Sequence, residues 1–162
     1  MLASFKQRIE REDEGFTLIE LMVVVLIIAI LLAIAIPTFL GARQRAQDRA
    51  AQSDIRNALT AEKVYYTDTQ VFTTDTVSIK SIEPSLTYSA GPTATAVGLS
   101  TSPDTLAVCI DKVSASSTKF SLIDVASGAG AGTYFAKQAC GTAVSAANLT
   151  AAPASPYKTG GW

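Results

Sequence analysis

The sequence predicts an α+β fold, in which a long N-terminal helix packs on a small antiparallel β-sheet. The first half of that helix is predicted to span a membrane, because residues 21–36 are sixteen consecutive apolar residues, LMVVVLIIAILLAIAI. A helical pattern continues from there to Tyr66, and strand-like runs separated by turn residues follow between positions 105 and 139. A chain of 162 residues has room for one domain, so one globular domain is expected behind the membrane helix.

Composition excludes several classes of function. The chain contains no histidine, which removes Ser-His-Asp and Cys-His catalysis and histidine metal sites. The formal net charge is -1, from 13 Lys+Arg and 14 Asp+Glu, and it gives no electrostatic basis for nucleic-acid binding. We find no nucleophile–base pair and no phosphate loop, so neither an enzyme nor a cofactor is predicted. No metal site is predicted either, because the acidic residues after the helix lack EF-hand spacing; they are Asp68, Asp75, Glu83, Asp104 and Asp111.

Residues 16–36 are predicted to be a retained membrane helix in contact with lipid. Its 21 residues are interrupted only by Thr17 and Glu20, and they span roughly 31 Å, the thickness of a bilayer's hydrocarbon core. A buried helix that is apolar on all faces needs apolar neighbours all round, and nothing later in the chain supplies them. A cleaved secretory signal has a shorter apolar core, followed by a small-residue cleavage site that residues 37–40 do not provide.

Charge does not orient this helix, and one residue within it needs an explanation. Three basic residues precede the helix and four follow it within twenty residues, which is close to a tie under the positive-inside rule. Glu20 is an ionisable group in an apolar setting, where such groups are usually paired or functional. Its place near the helix start lets the carboxylate reach headgroups and water, which explains how it is tolerated but not why it is there.

The junction at residues 15–21, GFTLIEL, resembles the N-terminus of type IV prepilins and of the related pseudopilins. The resemblance covers residues 1–40 directly and implies the type IV pilin fold. It implies that a membrane prepilin peptidase cuts between Gly15 and Phe16 and methylates the new amine of Phe16, which makes residues 1–15 a leader. Two features depart from the pattern. The residues just before the cut are acidic, where many relatives carry Lys or Arg, and position 29 is Ala, where many pilins have Gly.

The same resemblance implies a function and a set of partners. The chain would be a structural subunit, a major pilin, that polymerises through its helix into an extracellular pilus-like filament for adhesion, motility or DNA uptake. Glu20 would pair with the Phe16 amine of a neighbouring subunit, and Pro37 would kink the helix. Its partners would be copies of itself, the prepilin peptidase, an inner-membrane assembly platform, minor pilins and membrane lipid. The leader would lie inside the cell and the globular domain outside.

Two alternatives to a pilus subunit stay open. The first is a major pseudopilin of a type II secretion or competence system. The second is a monomeric membrane-anchored domain that binds a ligand or partner outside the cell. The leader junction and Glu20 favour a polymerising subunit over the monomeric anchor, since an ordinary anchor needs neither feature.

Residues 37–66 are predicted to continue the helix with three distinct faces. One face packs on the sheet; placed at 100° per residue, it contains Ala51, Ile55, Ala58, Leu59 and Tyr66. A small-residue face, formed by Ala42, Ala46 and Ala50, suits subunit packing, although alanines are also simply good helix formers. A basic stripe is either solvated or directed at lipid or a partner; its members are Arg45, Arg49, Arg56 and Lys63.

The rest of the chain is predicted to form a loop, a sheet and a tail. Residues 67–104 are expected to be a loop with one turn or strand in it. Strands are predicted at 105–113, 119–125 and 133–139 within a sheet region at 105–140, as an antiparallel meander. The tail, residues 141–162, is rich in Ala, Thr, Ser, Pro and Gly and is expected to be loosely packed.

Cys109 and Cys140 enclose 30 residues, and a bond between them would contribute about 3.5 kcal/mol by the chain-entropy model. Export of the domain favours the bond. In a plain meander, however, the first and third strands are not neighbours, and cysteines whose Cα atoms are more than about 7 Å apart cannot be bridged. Either Cys140 lies beyond its strand and folds back, or both thiols are free and buried; the bridge is the favoured prediction.

Overall fold

The structure is a computed structural model that describes residues 16–128, 130–140 and 157–162. The chain divides into two compact units, Met1–Ala42 and Arg43–Trp162. The predicted leader, with Gly15, and most of the predicted tail lie outside the described residues.

The helix α1 runs from Leu18 to Thr69, three residues beyond its predicted end at Tyr66. It is continuous through Pro37, whose ring nitrogen cannot donate to the preceding turn, so the kink there stays a prediction. Gln70, the residue after the last helical position, adopts a positive φ of 60° and terminates the helix. The Gln70 backbone N–H donates to the Tyr66 carbonyl at 2.8 Å, and its side-chain amide donates to the same carbonyl at 3.3 Å. These bonds satisfy a carbonyl that would otherwise end the helix unpaired.

Three short elements follow where a loop was predicted. Helix α2 spans Thr76–Ile82, strand β1 spans Tyr88–Ser89 and strand β2 spans Val97–Thr101. The Asp75 carboxylate caps α2 by accepting hydrogen bonds from two backbone N–H groups of its first turn. The structure therefore differs from the loop predicted over 67–104, because strand β2 carries a glycine and is too short to show clear alternation.

The remaining strands confirm the predicted antiparallel meander. They are β3 at Ala107–Val113, β4 at Lys119–Val125 and β5 at Gly132–Ala136. The five strands lie in the sheet in chain order, β1-β2-β3-β4-β5, with β1 parallel to β2 and the other pairs antiparallel. The longest register pairs Ala107 with Val125 and Val113 with Lys119.

One face of the sheet packs on the second half of α1. Ala51, Ile55 and Ala58 are buried as the periodicity predicted, and they share a core with residues of the strands. The strands contribute alternate residues to this core: Val97 and Leu99, Val108 and Ile110, Phe120 and Leu122. Leu59 and Tyr66 are half-buried against it.

The opposite face of the sheet is also covered, which makes β3 and β4 almost entirely buried. The residues that alternate with the first set form a second core, Ala107, Cys109, Ile123, Val125, Tyr134 and Ala136. Cys140 and Tyr157, which come after the last strand, complete this second core. Cys140 and Tyr157 therefore supply packing on this face that the strand pattern alone did not predict.

Candidate functional site

The N-terminal part of α1 is an apolar helix that no other described residue covers. Its hydrophobic side chains are exposed on every face, from 80% at Phe16 to 46% at Val24. The helix is long and apolar enough to cross a membrane, and its most apolar window has no buried residue. Exposed apolar surface of this extent marks a contact with lipid or with another protein chain.

Thr17 and Glu20 form a capping box at the start of this helix. The backbone N–H and the hydroxyl of Thr17 both donate to Glu20 Oε2, at 2.9 and 2.6 Å, and the Glu20 N–H reaches Thr17 Oγ1 at 3.3 Å. These bonds satisfy backbone donors that a helix start leaves unpaired. The signature is readable in the sequence as a threonine followed by glutamate three residues on, but this capping box was not predicted. Glu20 therefore has a local role that is independent of assembly.

Phe16 and Glu20 lie on the same side of the first turns. Together with Ile19, Val23 and Val24 they line an open groove of about 330 Å³. All the lining residues except Glu20 are apolar, so the groove suits an apolar side chain of another helix and offers it one carboxylate. Of the two residues predicted to flank the cleavage, only Phe16 is among the described residues.

Cys109 and Cys140 are joined by a disulfide, with Cα atoms 5.9 Å apart. Cys140 lies four residues beyond the end of β5. Between β5 and Cys140 the chain turns back, so that Cys140 contacts β3 on the face opposite α1. The Cys140 N–H donates to the Asp111 carboxylate of β3 at 2.7 Å. The first of the two arrangements considered for the cysteines is therefore the one the structure contains.

Polar groups in the second core surround this bond. The Tyr157 hydroxyl lies 3.1 Å from Ser121 Oγ, and it is 3.9 Å from Cys109 Sγ. Burial raises the pKa of Asp111, and the hydrogen bond from the Cys140 N–H opposes that rise. Asp111 thus fixes the backbone of Cys140 where the bond to Cys109 can close.

Glu62 of α1 carries a carboxyl group that is buried in the domain. The residue is fully buried, its Oε2 accepts the Thr73 N–H at 3.3 Å, and its Oε1 has no partner among the described residues. Burial raises the pKa of Glu62 to about 7, and the hydrogen bond from Thr73 lowers it only in part. Burial also raises the pKa of Tyr88, with the charges of Glu83 and Glu62 adding to the effect. Sequence reasoning missed Glu62, although it stands four residues after Ala58 on the predicted core face.

The basic stripe of α1 divides into two parts. Arg56 lies over the Trp162 ring at 4.9 Å, and Lys63 pairs with Asp124 at 3.1 Å. Arg45 and Arg49 are exposed, and no ion pair to either exists within the described part of the chain. Arg56 and Lys63 therefore contribute to packing within the domain. For Arg45 and Arg49, and for the exposed face of Ala42, Ala46 and Ala50, a partner stays a prediction.

A second ion pair, which the sequence did not predict, joins the helix to the sheet. Lys112 of β3 pairs with Asp54 of α1 at 2.6 Å, and both are partly shielded from solvent. Within the described ranges, His, Cys, Asp and Glu side chains form no group of three or more that could hold a metal ion.

Residues 11–36 match the model of the prokaryotic N-terminal methylation motif. The chain is 37% identical over 84 residues to the type IV wide pilus major component PilA4 of Thermus thermophilus, a match that covers 49% of this chain and 64% of the relative. It is 43% identical over 61 residues to the type IV major pilin protein PilA of Myxococcus xanthus, covering 38% of this chain and 28% of the relative. It is also 39% identical over 64 residues to the type II secretion system core protein G of Vibrio cholerae, covering 40% and 44%.

The matches span between 28% and 64% of the length of these relatives. The motif match includes Phe16, Glu20 and the apolar run, the residues on which the sequence resemblance depended. This chain thus carries a prepilin-type methylation motif and is similar, over part of its length, to type IV pilins and to type II secretion core protein G.

Proposed function

We propose that this protein is the major structural subunit of a type IV pilus-like filament. A prepilin peptidase removes residues 1–15 on the cytoplasmic side and methylates the amine of Phe16. The mature subunit waits in the cytoplasmic membrane with its globular domain outside, and it then polymerises through α1 into an extracellular filament. An inner-membrane platform and minor pilins assist assembly, and the role of the subunit is structural, without catalysis.

The uncovered apolar helix, with Phe16 just before it and Glu20 in its first turn, carries this proposal. A plain membrane anchor needs apolar residues and nothing more. Here the carboxylate of Glu20 stands one turn from Phe16, in an open apolar groove. A new amine at Phe16 of a neighbouring subunit would bring a positive charge into that setting, and a paired charge costs far less than a lone one in lipid.

A major pseudopilin of a type II secretion or competence system is the second candidate. Similarity to core proteins G as well as to pilins supports it, since one N-terminal design serves both. The two candidates differ in what loss of the subunit does to the cell. Deletion of a pilus subunit abolishes surface filaments and leaves exoprotein secretion intact, whereas deletion of a pseudopilin leaves exoproteins in the periplasm.

The test of processing is the intact mass of the chain extracted from membranes and from sheared filaments. We expect a chain that begins at Phe16 and carries one added methyl group. Retention of Met1 in the assembled form, or a cut after Ala35 or later, would contradict the proposal. A chain that is processed yet never recovered outside the cell would point to the secretion system.

A further inference from the structure

The globular domain carries a groove whose floor is apolar and whose rim is basic. Phe135 and Trp162 form the floor, and Lys137 and Lys158 stand at the rim, enclosing a volume of about 330 Å³. Both lysines are exposed, and neither forms an ion pair within residues 16–128, 130–140 and 157–162. Two cations held beside an apolar floor favour an anionic group carried by a partner.

Fixed contacts hold the groove in shape. The Trp162 ring meets Phe135 edge to face at 4.8 Å, and its indole N–H donates to the Ser121 carbonyl at 3.0 Å. Phe135 and Lys158 exchange both backbone hydrogen bonds, at 2.8 and 3.0 Å. Because the backbone of Lys158 is fixed to the sheet edge, the rim is preorganised for a partner.

Asp68 is a carboxylate without a local reason for its position. It lies in the last turn of α1, where the helix dipole disfavours negative charge, and that turn contains no basic residue. Its side chain is exposed, and it makes no hydrogen bond or ion pair with any residue that the structure describes. Other exposed acids of the domain are used locally; Asp75, for example, caps α2.

We propose that Asp68 of one subunit pairs with Lys137 and Lys158 of the next subunit in the filament. The inference rests on the proposed function, because it needs a polymer. Trp162 of the groove stacks on Arg56, twelve residues before Asp68 along α1. That spacing corresponds to about 18 Å along the helix axis and about 120° around it.

The groove and Asp68 are different surfaces of the same chain, so a contact between them joins two copies in the head-to-tail manner that a polymer requires. Different patches that meet through a rise and a rotation form a heterologous interface that propagates without closing. A copy displaced toward the N-terminal end of α1 brings its Asp68 to the level of the groove of the copy above. The pairing would thus set the axial offset between neighbouring subunits, while the apolar helices supply the cohesion.

Charge reversal in the full-length protein tests the pairing. One variant combines Lys137→Glu with Lys158→Glu, a second is Asp68→Lys, and a third joins all three changes. We expect each side alone to lower the yield of sheared filaments at least about fivefold through like-charge contacts, and the joined variant to recover most of it. Lys80→Glu, which reverses an exposed lysine of α2 outside the groove, should assemble as the wild type does.

Two further measurements keep the outcomes distinct. Alkylation of the non-reduced variants shows whether the Cys109–Cys140 bond still forms, so a folding defect is recognised as such. A carbodiimide applied to wild-type filaments should join Asp68 to Lys137 or Lys158 in a dimer-sized product, and Asp68→Asn should abolish that product.

Wild-type yield from the reversed variants, or filaments without the Asp68–lysine product, would overturn the pairing while leaving the proposed function intact. If the wild-type subunit gives no multimers even with a lysine-to-lysine cross-linker, the polymer itself is refuted and the pairing with it.

Discussion

Thr17 and Glu20 hold each other across the first turn of α1, through two hydrogen bonds to one carboxylate oxygen and one bond in return. Glu20 therefore supports the helix start within its own chain before any neighbour is present. Loss of this side chain removes a cap and a charge at once. An experiment on assembly has to separate these two effects.

Glu20→Gln and Thr17→Ala separate them. Glutamine can keep the capping box but has no charge, so we expect membrane accumulation as in the wild type and a filament yield lowered at least about tenfold. Thr17→Ala removes the cap and keeps the charge, so it should still assemble. Glu20→Ala should insert into the membrane and fail to elongate. Yields are measured in membrane and sheared-filament fractions, and a wild-type yield from Glu20→Gln would refute the role of the charge.

Glu62 makes the stability of the domain depend on pH. The unfolded carboxyl titrates near 4.5 and the folded one near 7, so the folded state holds the extra proton between these values. The free energy of unfolding should therefore fall as the pH rises through this window, by about 3 kcal/mol, and change little from Glu62 above it. Glu62→Gln should lack this component, because an amide does not titrate.

The measurement is urea unfolding of the mature protein in detergent at pH 5, 6, 7 and 8. The difference obtained by subtracting the wild-type free energy of unfolding from that of Glu62→Gln should increase as the pH rises. Parallel profiles for the two proteins would show that Glu62 has an ordinary pKa in the folded state.

The Cys109–Cys140 bond should be present in the exported protein. Alkylation of the mature protein without reduction should label neither thiol, and the Cys109→Ser/Cys140→Ser double variant should lose about 2–4 kcal/mol of stability. Mass spectrometry after alkylation and urea unfolding measure the two effects. Two labelled thiols in the native protein would contradict the bond.

Gly98 is the position in β2 that tolerates no side chain. A Cβ there would lie 2.3 Å from Asp111 Oδ1 and 2.7 Å from the Pro92 nitrogen, and Asp111 also binds the Cys140 N–H. Gly98→Ala should therefore cost roughly 1–3 kcal/mol and slow formation of the disulfide. Gly91→Ala is the matched control, because a Cβ at Gly91 meets nothing within 4 Å. Equal unfolding midpoints for the two variants would disprove this account of Gly98.

Local sequence patterns were enough to predict the elements whose apolar residues recur with a helix or strand period. The apolar run, the face containing Ile55 and the alternation in β3 and β4 all follow from helix or strand periods. Strand β2 was missed because its pairing with β3 depends on Gly98, which has no strand propensity of its own. The return of Cys140 to β3 was one of the two arrangements considered. Its hydrogen bond to Asp111, however, is a contact between distant residues that no local pattern contains.

The candidate site divides in the same way. Phe16 and Glu20 were found because their motif is local. The burial of Glu62 was missed because a single carboxylate on a helix is normally exposed. Its hydrogen-bond partner, the Thr73 N–H, lies eleven residues further along the chain, beyond the end of the helix. The groove at Trp162 is lined by residues of β5 and by residues 158–162. No sequence motif links these two segments, so the groove could not be predicted.

The chain-order arrangement of the sheet bears on the order in which the parts of this domain can fold. Each strand pairs with the one before it, so a chain that emerges N-terminus first forms the sheet progressively, without waiting for distant segments. Cys140 emerges after every strand, and its partner Cys109 by then lies between β2 and β4, on the face that Cys140 and Tyr157 later cover. The disulfide can therefore close only after all five strands have emerged, and it fixes the covering residues to the sheet.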